Sequence, residues 1–331
     1  MVVGSVLLFG GGAQAAGTTL LVNPAPNPAE AHFTPTAWIE HAVEQLRAEA
    51  ASWLGPDLMH PPLRVTDNAF NAAAEMLRRT GTTLTGPQVV LIVDRAPSVQ
   101  RLWLALYDQS NPPWPVIAAV KVSTGKPGRK EHFRTPIGVF TNTPAIFGYR
   151  AQGTLNENGI RGNGIKGMRV WDFGWQTTDD WRTPGAITSI RLEMHATDPT
   201  FLASRLGRAD SEGCIRIPAV FNRFLDHFGL LDSQLTPLVP TDRAIAALLP
   251  HDAAPFAFAG DTVIVVDTSD PDAAPSDPVE AQEIQTRFAE WLASTAHDSN
   301  NAHDTTDTGQ PAASGPPNVI KAGSHESVPH A

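Results

Sequence analysis

The stretch 190–230 constrains the fold of this chain more than any other part of the sequence. Its first residues alternate between apolar and polar side chains, which predicts a strand that ends at His195. After Pro218 the apolar residues recur at helical spacing, which predicts an amphipathic helix. The alternating residues are Ile190, Leu192 and Met194, and the helical stripe consists of Val220, Phe221, Phe224, Leu225 and Phe228. The sequence therefore places Cys214 close to a junction between a strand and a helix.

Cys214 and His195 are the residue types of a nucleophile and its base. A thiol attacks a carbonyl once a base has taken its proton. Gly213 leaves room beside the sulfur, and the amides of Gly213 and Cys214 are the predicted donors to an oxyanion. The chain has one cysteine, which excludes an intramolecular disulfide. A lone cysteine is more often a small buried apolar residue, but His195 and Arg216 favour a reactive thiol here.

The order and spacing of these residues resemble the signature of the L,D-transpeptidase (YkuD-type) catalytic domain. That signature is a histidine followed, at this kind of spacing, by Ser/Thr-His-Gly-Cys and usually by an arginine two positions later. The residues that match it are His195, Ser211, Gly213, Cys214 and Arg216. The segment 120–140 resembles the family's other recurring segment, a strand that ends in Ser-Thr-Gly and is followed by Thr-Pro-x-Gly. Glu212 departs from the pattern, because most members have histidine there.

The resemblance implies a mostly β or α+β fold, with a YkuD-like β-sandwich catalytic domain and accessory helices. It also implies cysteine-dependent acyl transfer on peptidoglycan stem peptides. Such an enzyme releases the terminal D-alanine and forms 3-3 crosslinks, or attaches the amine of a lipoprotein. The reaction needs no cofactor and no metal, and a carbapenem is the expected inhibitor.

Each residue of the motif has an expected role under this resemblance. His195 takes the proton of Cys214, and a backbone carbonyl near Ala196 orients its ring. Ser211 forms hydrogen bonds within the loop and steadies it. Arg216 favours the thiolate and braces the loop, or serves instead as a structural salt-bridge residue.

Glu212 and an aromatic segment are the candidates for substrate binding. The charge of Glu212 by itself raises the pKa of a nearby thiol, unless the side chain points outward or pairs with Arg205, with Arg208 or with the incoming amine. The segment 145–189 has little periodicity and contains Trp171 and Trp175. Long irregular segments often cover binding sites, so we expect this one to hold the stem peptide or glycan. Simple packing of these tryptophans is an equal alternative.

The sequence predicts five regions. Residues 1–16 are predicted to form a signal peptide, because an apolar run ends in the small-x-small pattern of a cleavage site; a buried first strand is the alternative. Residues 17–86 form a linker and an accessory helical region, 87–242 the catalytic domain, and 243–296 bracing elements at its C-terminal side. Residues 297–331 are polar and rich in Pro, Gly and Ser, which is typical of a disordered tail. The expected location is outside the cytoplasm, in the periplasm or cell wall.

Local patterns predict the individual elements. The predicted helices begin at Pro35, near Asp67, at Arg243 and near Val279. The predicted strands are 88–94, 99–107, 116–122 and 262–266. His132 is expected to be a solvated loop residue.

Charge and composition separate the possible classes of function. The formal net charge is −10, but the stretch 87–242 has a small excess of basic side chains, which suits a carboxylate-rich stem peptide. The chain has no basic stripe or motif for nucleic acid. The histidines of the tail are irregularly spaced, unlike a metal site.

Three alternatives to transpeptidation remain open. A carboxypeptidase or hydrolase could use the same fold, with water in place of the amine. A papain-like hydrolase also uses Cys and His, but its cysteine usually precedes its histidine in the sequence, and here the order is reversed. A catalytically silent wall-binding module is suggested by Glu212, although silence would remove the need for Cys214, His195 and Arg216 to occur together.

Overall fold

The computed structural model describes residues 35–109 and 112–301 of this chain. Within these residues the α-helices are α1 (Pro35–Leu54), α2 (Leu63–Thr80), α3 (Ala219–His227), α4 (Arg243–Leu248) and α5 (Pro278–Asn301). The strands are β1 (Gln88–Asp94), β2 (Arg101–Tyr107), β3 (Val116–Lys121), β4 (Gly138–Thr141), β5 (Tyr149–Arg150), β6 (Arg169–Asp179), β7 (Ile187–Ala196), β8 (Ile215–Ile217) and β9 (Thr262–Val266). The fold is α+β.

The strands form two mixed sheets. The first has the order β3-β2-β1-β9-β4, and the second has the order β5-β6-β7-β8. In the first sheet β1 and β9 are parallel and the other neighbours are antiparallel. In the second sheet β7 and β8 are parallel, and a crossover that includes the Cys214 loop connects them.

Both sheets contribute to one continuous hydrophobic core. Val90 and Ile264 from the first sheet, and Leu192 and Ile215 from the second, are fully buried in the same cluster. Helices α1 and α2 pack on the first sheet, and their apolar residues join this cluster. The accessory helices are therefore part of the same packed unit as the two sheets.

The segment after residue 242 supplies an interior strand of the first sheet. β9 lies between β1 and β4, and all five of its residues are buried. Because a sheet without this strand would expose the edges of both neighbours, the region 243–296 completes the sheet that begins at β1. Helix α5 continues to Asn301, so the first residues of the predicted tail are helical. The predicted signal peptide and residues 302–331 lie outside the described residues.

The prediction of an irregular segment at 145–189 was wrong. This segment contains β5, all eleven residues of β6 and the start of β7. Period-two apolar alternation is absent from β6 because polar residues such as Asp172 and Gln176 are buried in it. A shift in register between Asp172 and Trp175, where Gly174 has a φ of +77°, further interrupts the pattern.

None of the described helices is both long enough and sufficiently apolar to cross a bilayer.

Candidate active site

Strand pairing in the second sheet brings His195 and Cys214 close together. His195 lies in register with Arg216 across the parallel β7–β8 pair, and Cys214 directly precedes β8. Tyr149, Val170 and His195 are likewise in register across β5, β6 and β7. Residues directly opposite each other in a sheet point to the same face. The histidine, the arginine and a tyrosine therefore share one face of this sheet, next to the cysteine.

The ring of His195 is fixed by a backbone hydrogen bond. Its Nδ1 lies 2.8 Å from the carbonyl oxygen of Ala196, so an Nδ1–H donates to that oxygen. This confirms the predicted backbone carbonyl and leaves Nε2 as the basic nitrogen. Burial, together with the charge of Arg216, lowers the pKa of His195 to about 4. His195 is therefore neutral at neutral pH and able to accept a proton.

Cys214 is almost fully enclosed. It is 5% exposed and packs with Phe133 and Ile190 in a small apolar cluster. Burial raises the pKa of the thiol above its usual range, and the charge of Glu193 raises it further. A hydrogen bond from the backbone of Glu193 and the charge of Arg216 act in the opposite direction. The resting site is thus a neutral thiol beside a neutral imidazole rather than a thiolate–imidazolium pair.

Ser211 holds the cysteine loop together, as predicted. Its hydroxyl donates to the carbonyl oxygen of Cys214 at 2.6 Å and accepts from the amide of Gly213 at 3.2 Å. The Gly213 amide is therefore engaged within the loop, which corrects the expectation that it is free to face an oxyanion. Gly213 has a φ of +148°, a conformation that residues with side chains rarely adopt. The Cys214 amide remains as the candidate oxyanion donor.

The second segment of the resemblance packs directly against the cysteine loop. Gly125 forms a bridge with Ser211, and the amide of Phe133 donates to the carbonyl oxygen of Glu212 at 3.0 Å. A Cβ on Gly125 would lie 1.9 Å from the carbonyl oxygen of Phe133, so only glycine fits. His132, predicted to be solvated, is instead half-buried and lies 3.1 Å from the Ser211 carbonyl.

Thr135 ties these two segments together, so we expect Thr135→Val to destabilise the protein by about 1–3 kcal/mol. Its buried hydroxyl donates to the carbonyl oxygen of Gly213 at 2.7 Å and accepts from the amide of Gly125 at 2.8 Å. Valine has nearly the same shape but leaves both buried backbone groups without this partner. The free energy of unfolding in urea measures the loss. Thr241→Val, which removes an exposed hydroxyl, is the control, and equal stability of the two variants would contradict the prediction.

Glu212 lies two residues before Cys214 in the chain, and Arg216 lies two residues after it. The side chain of Arg216 donates to the carbonyl oxygen of Asp210 at 3.3 Å and is partly buried, which matches the predicted bracing of the loop. Glu212 is half-exposed, and its backbone rather than its carboxylate makes the contact with Phe133. Arg205, one of the predicted partners of Glu212, pairs with Asp210 at 3.0 Å.

The two predicted aromatic contacts differ in their exposure. Trp171 is completely buried in the main core, so its ring offers no surface to a substrate and its predicted binding role is corrected. Trp175 is partly exposed, and the guanidinium of Arg191 lies 6.0 Å from its ring centroid.

The structure adds two groups that the sequence did not place at the site. Glu193 is 3% exposed, and its position two residues before His195 puts it on the same face of β7. The hydroxyl of Tyr149 donates to Glu193 Oε1 at 3.2 Å. Alternation along β7 could have paired Glu193 with His195, but only the strand pairing brings Tyr149 to them.

Among the described residues, no group of three His, Cys, Asp or Glu side chains is arranged to hold a metal ion. No protein-family model matches this chain, and a search of the curated proteins also finds no match.

Proposed function

We propose that this protein is a cysteine-dependent acyltransferase of the L,D-transpeptidase type, built on a YkuD-like β-sandwich. The observation that carries the proposal is the parallel pairing of β7 with β8. It sets His195, with Nδ1 committed to a backbone carbonyl, beside Cys214 in a loop held by Ser211. A nucleophile, a base and a group that orients the base are the parts that covalent acyl transfer requires.

The neutral resting pair suits a mechanism in which proton transfer accompanies attack. Nε2 of His195 takes the thiol proton as the sulfur of Cys214 bonds to the substrate carbonyl carbon. The bond to the leaving amine then breaks, and His195 returns the proton to that amine. An acceptor amine or water next attacks the thioester, the carbon–sulfur bond breaks, and the sulfur regains a proton through His195.

The proposed substrates are the stem peptides of peptidoglycan. The terminal D-alanine is the leaving group, and the acceptor is a second stem peptide or the amine of a lipoprotein. This class rests on the likeness of two separate segments, 120–140 and 195–216, to the family's recurring motifs. The packing of Gly125 and Thr135 against the cysteine loop supports it, because the two segments form a single site. Such a substrate places the protein in the periplasm or cell wall.

We expect a covalent adduct on Cys214 after incubation with a carbapenem, and none with Cys214→Ala. Intact-mass spectrometry of the full chain measures the adduct. A separate incubation with a tetrapeptide-bearing muropeptide should release D-alanine, again only with wild type. The product distinguishes the activities, since a crosslinked dimer indicates a transferase and a tripeptide indicates a carboxypeptidase.

The burial of Cys214 favours a second candidate, a catalytically silent wall-binding module. A thiol that is 5% exposed, with a pKa above its usual range, resembles an inert structural cysteine. Folded wild-type protein that forms no adduct and releases no D-alanine would support this candidate and contradict the acyltransferase.

A further inference from the structure

We propose that Arg95, acting through Thr135, orients the backbone N–H of Cys214 so that it stabilises the oxyanion formed during acyl transfer. The inference rests on the proposed acyltransferase function and adds two positioning residues to it. Arg95 lies in the turn between β1 and β2, outside the two segments that resemble the family's motifs. Its link to the cysteine loop therefore comes from the structure alone.

Two parallel strands place Arg95 beside a buried carboxylate. Arg95 directly follows β1, and Asp267 directly follows β9. Because β1 and β9 are parallel neighbours, both residues emerge at the same edge of the first sheet. Nε of Arg95 donates to Oδ2 of Asp267 at 2.9 Å, and the two side chains are 4% and 3% exposed. This ion pair fixes the guanidinium in the interior of the protein.

The fixed guanidinium reaches the second segment of the resemblance. Nη1 of Arg95 donates to the backbone carbonyl oxygen of Thr135, a fully buried residue. A guanidinium is planar and presents its donors as a rigid fork, so the contact of Nε with Asp267 also sets the direction of Nη1. Nη2 lies 3.9 Å from Oδ1 of the exposed Asp179. Arg95 therefore holds Thr135 from the edge of the first sheet.

The hydroxyl of Thr135 determines which way the Cys214 amide points. It donates to the carbonyl oxygen of Gly213 at 2.7 Å and accepts from the amide of Gly125 at 2.8 Å. The carbonyl of Gly213 and the N–H of Cys214 belong to one planar, trans peptide unit, in which they point in opposite directions. The N–H of Cys214 is therefore directed away from Thr135 and held there. Oxyanion donors are effective when they are fixed in place before the reaction.

Gln100 secures the other end of the same turn. It is fully buried and has a φ of +46°, a left-handed conformation that residues other than glycine rarely adopt. Its side-chain amide donates to the carbonyl oxygen of Arg95 at 2.6 Å and to Oγ1 of Thr124 at 2.7 Å. The carbonyl oxygen of Thr124 accepts from the amides of Asp210 and Ser211, both at 3.0 Å. The turn that carries Arg95 is therefore tied to the start of the cysteine loop as well.

The test compares two reactions of Cys214 in Arg95→Lys. A carbapenem acylates the thiol by way of an oxyanion, whereas iodoacetamide alkylates it at a saturated carbon, where the sulfur displaces iodide and no oxyanion forms. Lysine keeps the positive charge beside Asp267 but lacks the fork of donors that serves Asp267 and Thr135 together. We expect carbapenem acylation to slow about tenfold, because the N–H of Cys214 is no longer held in one direction, while alkylation stays near the wild-type rate.

Intact-mass spectrometry of the full chain measures both rates, and each adduct is assigned to Cys214 because the chain has one cysteine. Thr135→Val removes the hydroxyl that holds the Gly213 carbonyl, so it should slow acylation at least as much as Arg95→Lys and leave alkylation unchanged. Thr135→Ser keeps the hydroxyl and should restore most of the acylation rate.

Two variants of buried ion pairs make the result specific. Asp267→Asn removes the charge that anchors Arg95 and should lower the ratio of acylation to alkylation, by less than Arg95→Lys; it tests the role of Arg95 even if Arg95→Lys does not fold. Asp232→Asn breaks an equally buried pair, with Arg169, and is the matched control. At a temperature where it is folded, Asp232→Asn should show both rates near wild type.

The failure of this inference differs from the failure of the proposed function. If wild type forms no carbapenem adduct on Cys214, the acyltransferase proposal fails. If wild type forms the adduct but Arg95→Lys and Thr135→Val acylate at the wild-type rate, these residues do not orient the oxyanion donor. Equal losses in acylation and alkylation would also overturn the inference, because they would indicate a general change in the cysteine loop.

Discussion

Replacing His195 with glutamine is expected to slow the acylation of Cys214 by about a thousandfold, because a general base contributes roughly 10²–10⁴ to such a step. Burial raises the pKa of the thiol, so little thiolate exists without a partner to take the proton. The Nδ1–H of His195 is fixed on the Ala196 carbonyl at 2.8 Å, which leaves Nε2 to act as the base. The measurement is the rate of the mass increase with a carbapenem.

The pH dependence of acylation should reflect the burial of the same residue. Burial lowers the pKa of His195 to about 4, so the neutral, basic form persists as the pH falls below neutrality. The acylation rate should fall to half only near that pKa, instead of near the ordinary value for histidine of about 6.5. Circular dichroism at each pH establishes that the chain is still folded.

The control for His195→Gln is His60→Gln, which changes an exposed histidine before α2. This variant should acylate at the wild-type rate. If His195→Gln also acylates at that rate, the assigned base is wrong. If wild type loses half its rate near the ordinary histidine pKa, burial does not lower the pKa of His195 as expected.

Local sequence patterns were sufficient to predict the strands in which buried residues alternate with exposed ones or form a continuous apolar run, and the helices in which buried residues form a stripe. The predicted strands 88–94 and 262–266 and the helix that begins at Pro35 agree with the structure. In β6 the pattern failed because buried polar side chains occupy both faces, and a glycine in the left-handed region shifts the register. The start of α2 was placed about one turn late, because Leu63 begins the helix after Pro62 without a side-chain cap.

The contacts of the candidate site could be predicted only where both residues are close together in the chain. Ser211 bonds within its own loop, and the partner of His195 is the next residue, so sequence alone indicated both contacts. Glu193 is separated from Cys214 by the whole β7–β8 crossover, and only the parallel register brings them together. Tyr149 reaches Glu193 across β6, whose existence the sequence pattern did not reveal.

Breaking the buried ion pair between Arg169 and Asp232 is expected to cost about 3–5 kcal/mol of unfolding free energy. Both side chains are 0% exposed, and Nη2 of Arg169 lies 3.1 Å from Oδ1 of Asp232. Asn142, just after β4, donates to the same Oδ1 at 3.0 Å, and Asn222 of α3 exchanges hydrogen bonds with the Arg169 backbone. The pair therefore links both sheets to α3, and either partner alone would be an uncompensated buried charge.

The decisive comparison uses single and double variants in urea unfolding. Asp232→Asn and Arg169→Met should each show the full loss, because each leaves one charge in the core without its counterion. The double variant should lose less than the sum of the two, since it removes both charges together. Arg78→Met, which breaks the exposed pair with Glu75, should stay close to wild type, because solvent screens that pair. Additive losses in the double variant would mean that the two side chains stabilise the fold by packing independently, not as a pair.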